Sequence, residues 1–191
     1  MTTRLAYTDS SAEPVSVDEA KLAARFTAGA LDTAIQGYIT TAREAAEHIT
    51  GRCYREQVLR TELRCWPQSC EAIAVHQATA CAVTYWNGSA WVPLAEAGYV
   101  FAPGGIGDCG TALAPATGTS WPVLGERPVG PRVRIDLTAG PADSTTVPEA
   151  VKLYIQAVVA AWVQEPAASQ DARRVANPLF DRLLDGERLF G

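Results

Sequence analysis

Apolar positions repeat at helical spacing in three stretches of the chain. The first, 16–26, opens with a capping box at Ser16 and Glu19, in which each residue satisfies a backbone N–H at the start of a helix. The second, 31–50, has an apolar residue at every third or fourth position and predicts a one-sided amphipathic helix. The third, 148–164, is apolar on most of its sides, which is typical of a helix in a core or between subunits.

Between the second and third helical stretches, the apolar period changes to two. This alternation predicts short strands, at 57–66, 72–76, 82–92, 99–102 and 133–137. Asn87 and Gly88 lie between two alternating runs and predict a hairpin with a type I′ turn, because both central residues of that turn have a positive φ. Proline and glycine cluster between the other runs, so the region predicts a small, loop-rich antiparallel sheet.

These elements predict an α+β fold: a small bundle of three main helices, an antiparallel β insert between helices two and three, and an extended C-terminal tail. The predicted divisions are an extended N-terminal arm, a helical core in two pieces, an inserted β-rich subdomain, and a linker with a C-terminal tail, at 1–15, 16–52 with 148–165, 53–147, and 166–191. The apolar stripes of the two longer helices place eight residues in the core or between subunits: Ile35, Tyr38, Ile39, Val151, Tyr154, Ile155, Val158 and Trp162.

Composition limits the possible partners. The net charge of -5 and the pI near 5.1 argue against a protein that binds nucleic acid by neutralising phosphates. They do not exclude a neutral or acidic wall past which DNA slides. The N-terminus has no apolar stretch of signal-peptide length, and the longest apolar run is too short to span a bilayer. We therefore expect a soluble protein that is made in the cytoplasm and does not contact a membrane.

No motif in the chain predicts catalysis or a bound cofactor. The five cysteines include no C-x-x-C pair and only two histidines accompany them, so we expect reduced thiols, no metal site and no cofactor. The glycine-rich stretch 104–107 lacks the G-K-[ST] ending of a phosphate loop and is expected to be a flexible β loop. His48 lies beside Glu44 and Glu47 at helical spacing, which is typical of a solvated helix face. We expect no catalytic residues and no enzymatic activity.

The tryptophans leave an alternative open. Four of the five lie in the β region, where Trp86 and Trp91 flank the predicted turn. Packing in the core or across the hairpin is the simpler expectation. The alternative is a stand-alone β-rich module that binds carbohydrate or protein through an aromatic platform.

The last fifteen residues, 177–191, follow a polar, linker-like stretch and contain six large apolar side chains. Burying these six would contribute roughly 9–18 kcal/mol, whereas fixing fifteen backbone units costs about 15–30 kcal/mol. The segment is therefore expected to need a surface, on its own domain or on a partner, and the preceding linker favours a partner. The six residues are Leu179, Phe180, Leu183, Leu184, Leu189 and Phe190.

An ordered set of short motifs resembles a known family. The stretch E-P-V-S-V-D-E-A-K at 13–21 precedes I-x-x-Y-I-x-x-A-R-E-x-x-E-x-x-T-G-R at 35–52. A strand that ends in glycine at 135–140 is followed by V-P-E-A-V-K at 147–152 and an apolar helix. In this order, the motifs resemble the head–tail connector (adaptor or head-completion) proteins of long-tailed bacteriophages and of phage-like gene transfer agents, especially the subgroup with a β insert. The chain departs from the family where the last helix ends, because Trp162-Val163-Gln164-Glu165 replaces the usual aromatic-then-basic ending.

The resemblance implies a structural adaptor at the head–tail junction of a virion or phage-like particle, assembled in the bacterial cytoplasm. Members of the family form a homo-oligomeric ring, usually dodecameric, under the portal protein. The ring extends the DNA channel, through which DNA passes without specific binding, and receives a tail-side connector (a stopper or terminator protein). The resemblance implies that the eight helix residues pack in the ring or the core. It also implies that the six apolar tail residues contact the portal.

Overall fold

The computed structural model describes residues 2–7, 12–27, 29–67, 72–73, 75, 77–103, 110–164, 180 and 182–188. The described residues form two compact units. The β unit takes its described residues from Met1–Asp9 and Glu56–Gly140, and it contains the strands. The helical unit takes its described residues from Ser10–Arg55 and Pro141–Phe190, and it contains the α-helices. Residues on either side of Arg55 and Gly140 therefore belong to different units.

The helical unit contains α1 (Val17–Ala23), α2 (Asp32–Thr50) and α3 (Glu149–Gln164). The predicted capping box opens α1: Ser16 Oγ accepts the Glu19 N–H at 3.2 Å, and Glu19 Oε2 accepts the Ser16 N–H at 2.7 Å. The helices pack on one another around a single core. Its buried apolar residues are Val15, Ala20, Ile35, Ile39, Ala42, Ala46, Tyr54, Val147, Val151, Tyr154, Ile155, Val158, Val159, Trp162 and Leu184.

The β unit contains two antiparallel sheets. Its strands are β1 (Thr2–Tyr7), β2 (Gln57–Leu63), β3 (Ala72–Ile73), β4 (Ala78–Trp86), β5 (Trp91–Pro93), β6 (Tyr99–Ala102), β7 (Thr111–Pro115) and β8 (Val133–Ala139). The five-stranded sheet has the order β1-β2-β8-β4-β5, and the three-stranded sheet has the order β3-β7-β6. The central strand β8 alternates strictly between buried and half-buried residues, so one face of the larger sheet covers the core of this unit.

The predicted fold class, a small helical bundle with a β insert and an extended tail, is wrong. The fold is mixed α+β with prominent strands, and the described strands form sheets of five and three. The N-terminal residues, which we expected to form an extended arm, pair with β2 as β1, with a bulge between Arg4 and Ala6. The prediction failed because strand pairing joins distant residues, and a local period of two does not identify the partner strand.

The predicted type I′ turn between β4 and β5 is also wrong. Four residues connect the strands, and Gly88 has a φ of 109° whereas Asn87 is not among the described non-glycine residues with positive φ. Asn87 Oδ1 instead accepts the N–H groups of Ser89 and Ala90, both at 2.9 Å. The side chain of Asn87 therefore closes the turn, which makes a positive φ at that residue unnecessary.

Candidate interaction surfaces

A buried polar network holds the helical unit together. The side chain of Arg43 on α2 is fully buried. Its Nε donates to Glu13 Oε2 at 2.8 Å, and its NH1 donates to Glu47 Oε2 at 2.7 Å. A buried guanidinium needs carboxylate partners, since an uncompensated charge in a core is costly.

Through their second oxygen atoms, Glu13 and Glu47 connect this network to further residues of α2 and of the chain after it. Glu13 Oε1 accepts hydrogen bonds from Thr40 Oγ1 at 3.0 Å and from Arg55 NH1 at 3.4 Å. Glu47 Oε1 accepts the backbone N–H of Tyr54 at 2.8 Å. The network therefore fixes the segment before α1 and the chain after α2. Glu13, Arg43 and Glu47 also belong to the sequence motifs at 13–21 and 35–52. In this structure their side chains bind one another inside the helical unit.

The eight helix residues predicted to pack all lie in this unit. Seven of them are core members, and Tyr38 packs against the core as a partly buried residue. The ring of Tyr38 meets Trp162 edge-to-face, with centroids 5.5 Å apart and an interplanar angle of 61°. Their burial within one chain places them in the core, while a role between subunits stays a prediction.

Half of the predicted tail residues lie within the described part of the chain. Leu184 is fully buried in the helical core, and Phe180 packs against that core as a partly buried residue. Leu183 leaves 38% of its surface exposed, and Arg52 NH1 lies 3.7 Å from Glu187 Oε2. Leu179, Leu189 and Phe190 lie outside the described residues. Part of the C-terminal segment therefore packs against its own chain. From the sequence, we expected this alternative less than contact with a partner.

Two helices of the helical unit expose leucine next to acid. Leu22 on α1 is 80% exposed, and Leu153 on α3 is 52% exposed. Each follows an exposed carboxylate by four residues, Asp18 on α1 and Glu149 on α3, so acid and leucine share one helix face. Each leucine therefore lies beside an acid on its own helix.

Charged side chains lie near the starts of α1 and α3. Lys152 Nζ pairs with Glu149 Oε1 at 2.9 Å and lines a depression of about 410 Å³ with Glu19. The Ser16 backbone N–H bonded to Glu19 holds the pKa of that carboxyl below its usual value. The Thr145 backbone N–H lowers the pKa of Asp143 in the same way. These carboxyls therefore stay charged at neutral pH, and they are accompanied by the basic residues Lys21, Arg25 and Lys152.

Cross-strand ion pairs cover the outer face of the five-stranded sheet. Arg60 on β2 binds Asp136 on β8 through two hydrogen bonds, of 2.6 and 2.7 Å. Two residues further along each strand, Arg134 Nε donates to Glu62 Oε1 at 2.8 Å. Both pairs lie on the face opposite the buried residues of β8, so the outer face is charged.

Arginine guanidinium groups pack against tryptophan rings at one end of this face. The guanidinium of Arg134 lies 4.0 Å from the ring centroid of Trp91. That of Arg127 lies 5.0 Å from Trp86 and 5.2 Å from Trp91. The rings of Trp66 and Trp121 stack on each other at 4.5 Å. Because these rings already pack against other groups of the same chain, the arrangement argues against a free aromatic platform for carbohydrate.

The 116–132 connection between β7 and β8 is anchored at this end of the sheet. Trp66 Nε1 donates to Pro122 O at 2.8 Å, and Trp86 Nε1 donates to Glu126 O at 3.2 Å. A connection of this length without regular structure is usually either functional or disordered. This one is held in place and presents Val129, 82% exposed, to solvent.

A depression of about 450 Å³ lies beside the 116–132 connection, and Leu5, Arg64, Gly130 and Pro131 are among the residues that line it. Arg132 Nε donates to Arg64 O at 2.7 Å, and Arg127 NH1 donates to Pro131 O at 3.0 Å. Among the described residues, Arg64, Arg127 and Arg132 have no ion-pair partner.

The described part of the chain gives little support for a catalytic or metal-binding site. No group of three or more His, Cys, Asp or Glu residues is placed there to hold a metal ion. His48 is exposed on α2, and burial raises the pKa of the Cys81 thiol to about 12, which makes it a poor nucleophile. The glycine-rich stretch 104–107 lies outside the described residues. The helices that are described are too short or too polar to cross a bilayer.

Comparison with known proteins finds similarity in structure. No protein-family model matches the chain, and no curated protein matches it significantly. A chain from the neck of an empty GTA particle computed with C6 symmetry superposes with a TM-score of 0.73 and 19% identity. A chain from the virion of a native gene transfer agent (GTA) particle gives 0.73 and 21%, and one from the neck of a native GTA particle computed with C12 symmetry gives 0.70 and 21%. Each match covers 100% of this chain and 96% of the other, so the fold is shared over the full length.

Proposed function

We propose that this chain is a structural head–tail connector of a gene-transfer-agent-like particle. In this role it forms a ring between the portal and the tail, and the ring continues the DNA channel. The observation that carries the proposal is the full-length structural match to chains of GTA necks and virions, with TM-scores of 0.70–0.73. A match over both units is more informative than one over a common helical pair, because the order of helices and strands must also agree.

Symmetry supports the ring. The matched necks were computed with C6 and C12 symmetry, which describe closed rings of repeated subunits. A ring requires each subunit to present two different surfaces to its neighbours. This chain exposes apolar side chains on both of its units, and in a ring a neighbouring subunit would cover some of them.

The sequence motifs support the same assignment indirectly. The residues shared with connector proteins include Glu13, Arg43 and Glu47, which form the buried network of the helical unit. Such a network maintains a fold, so these motif residues support the assignment through the fold and not through a binding surface.

For the C-terminal segment we propose contact with the portal. Leu179, Phe180, Leu183, Leu184, Leu189 and Phe190 form the proposed anchor. Leu183 is the described member with the most exposed surface, whereas Leu184 is buried and holds the segment on its own subunit. A weak contact repeated around a ring gains strength through avidity, so one exposed leucine per subunit is a useful contribution.

Cryo-electron microscopy of purified particles tests the proposed function. We expect density for this chain as a ring between portal and tail, and we expect particles that lack the gene to have heads without attached tails. Absence of the chain from purified particles, or its location away from the head–tail junction, would contradict the proposal.

Two single substitutions test the anchor separately. Leu183→Asp should lower the melting temperature of the isolated chain less than a substitution at buried Leu184 does, because its side chain is partly exposed, and should reduce recovery of the chain with portal. Leu184→Ala should lower stability by about 2–5 kcal/mol, since it leaves a cavity in the core. Unchanged portal binding by Leu183→Asp would show that this residue is not part of the anchor.

A further inference from the structure

The connection between β7 and β8 contains a short turn that is restrained at both ends. We call residues 127–131, R-P-V-G-P, the proline–valine turn. Just before it, the Gly125 N–H donates to the backbone oxygen of Trp86, the last residue of β4, at 2.9 Å. Just after it, the Arg132 N–H donates to the backbone oxygen of Leu63, the last residue of β2, at 2.8 Å. The larger sheet therefore holds both ends of the turn.

The turn is also closed by its own residues. Arg127 NH1 donates to Pro131 O at 3.0 Å, and the guanidinium packs against the two tryptophan rings of the β4–β5 hairpin. Gly130 has a φ of 104°, and a Cβ there would lie 3.4 Å from Arg127 Nε, so the arginine covers the backbone of the turn. Prolines at 128 and 131 fix two further φ angles. A partner could therefore bind this turn without first ordering it.

Val129 occupies the middle of this restrained turn and is 82% exposed. Val123, earlier in the same connection, is 91% exposed. Single exposed valines are common on protein surfaces and by themselves indicate no function. Here, however, the backbone around Val129 is fixed, at a cost of about 1–2 kcal/mol per residue, while its side chain adds little to the core. A fixed and exposed apolar residue is typical of a binding loop on a rigid scaffold.

Arginines without ion-pair partners surround the turn. Arg64 is exposed and lines the 450 Å³ depression, which Gly130 and Pro131 of the turn also line. Arg132 Nε donates to Arg64 O at 2.7 Å, so these two arginines are neighbours. Together with Arg127, they have no ion-pair partner among the described residues.

The acids near the turn do not cancel this charge. The depression is also lined by Arg60 and Glu62, and each of them forms an ion pair with a residue of β8. Glu126 precedes the turn directly and is exposed. Three arginines without ion-pair partners thus accompany one glutamate, and the surroundings of the turn are positive although the chain carries -5.

We propose that the proline–valine turn docks into a groove of a different protein of the particle, one with an apolar floor and carboxylates at its rim. This inference rests on the proposed function, because it names an element by which the connector holds a neighbouring protein. The apolar floor would receive Val129, and the rim carboxylates would accept hydrogen bonds from the arginines.

The alternatives fit the turn less well. The phosphates of duplex DNA would match the arginines but would give the exposed valines no apolar surface. A second copy of the chain offers the 410 Å³ depression of its helical unit, which is lined mainly by polar residues, with Lys152 among them. That lining lacks the apolar floor that Val129 requires.

Photo-cross-linking in purified particles tests the contact. The cross-linking residue p-benzoylphenylalanine takes the place of Val129, and mass spectrometry identifies the peptide that it captures. We expect one other protein of the particle, joined through a peptide that contains apolar residues and Asp or Glu. The matched control has the same substitution at Val100, which is 56% exposed on β6 outside the turn, and should not capture that peptide.

The captured protein, once purified, is the probe for affinity measurements. Val129→Asp and Arg64→Glu should each weaken its binding by about tenfold or more, and Val100→Asp should bind it like the unmodified chain. The three side chains are exposed, so circular dichroism should show that the variants keep their fold. Gly125→Ala should also weaken binding, because it displaces the turn without changing a residue that touches the partner.

The possible failures are separable. If particles contain the chain but position 129 captures a second copy, DNA or nothing, the docking contact is wrong while the connector role stands. The contact is also wrong if Val129→Asp binds the captured protein as tightly as the unmodified chain does. If purified particles lack the chain, the connector role itself fails, and this contact fails with it.

Discussion

Arg43 shows how single residues determine the helical unit. Its fully buried guanidinium is compensated by Glu13 from the segment before α1 and by Glu47 one helical turn later. A buried ion pair contributes little net stability compared with apolar residues of the same shape, because desolvation offsets the attraction. Removal of one partner is much more costly, since it leaves the remaining charge buried and unpaired. The network therefore acts chiefly to specify one arrangement of these segments.

Substitution of this arginine should destabilise the chain strongly. We expect Arg43→Met to lower the free energy of unfolding by about 3–5 kcal/mol, because Glu13 and Glu47 would lose their main partner. Urea unfolding followed by helical circular dichroism measures the loss. The control is Glu44→Gln, whose carboxylate lies 3.8 Å from Arg43 at a partly exposed site and should cost about 0–1 kcal/mol. Equal losses in the two variants would contradict the network.

The capping box gives a pH-dependent effect. Ser16→Ala should lower stability by about 0.5–2 kcal/mol at neutral pH. The Ser16 N–H and, to a smaller extent, the Ser16 hydroxyl lower the pKa of Glu19 from its usual 4.5, so the folded state binds fewer protons than the unfolded state near that pH. This contribution is present above pH 4.5 and is lost as the pH falls through the lowered value. Ser16→Ala keeps the backbone N–H and removes the hydroxyl, so only the part of the difference that comes from the hydroxyl should shrink on acidification. A constant difference from pH 7 to about pH 3 would show that the Ser16 hydroxyl does not stabilise the Glu19 carboxylate.

Among the elements, the 116–132 connection depends most on contacts with distant residues. It has no regular structure, yet tryptophans from β4 and from the chain after β2 bond to its backbone. Gly125 N–H also donates to Trp86 O at 2.9 Å, which brings the connection directly against the β4–β5 turn. A Cβ at Gly125 would overlap the backbone of Asn87 and Gly88, so only glycine fits there.

Alanine substitution at two glycines should have opposite effects. Gly125→Ala should displace the connection and cost about 1–3 kcal/mol, because the overlap is with backbone that cannot move aside. Tryptophan fluorescence and near-ultraviolet circular dichroism measure the change, since Trp86 contacts the connection. Gly37→Ala on α2 meets nothing within 4 Å and should stabilise by about 0.5–1 kcal/mol. A neutral Gly125→Ala would mean that the connection does not approach the turn this closely.

At the scale of the whole molecule, two units with different chemistry occur in one chain. Strand pairing and ion pairs across strands hold the β unit together, whereas the buried network around Arg43 holds the helical unit together. Both units contain more acidic than basic residues, so both contribute to the net charge of -5.

The sequence by itself determined the features that depend on near neighbours. It located the three helices, the capping box at Ser16 and most strand-forming runs, because helical spacing and alternation are local patterns. It also placed the apolar stripes of the two long helices, which lie in or against the core.

Only the tertiary structure decided what depends on residues far apart in the chain. It paired the N-terminal strand with β2, placed β8 at the centre of the larger sheet and buried Leu184 in the helical core. It also brought together arginines from two distant parts of the chain, beside tryptophans that the sequence could not position. The physical reason is that these features arise from contacts across tens of residues, whose partners a local period cannot identify.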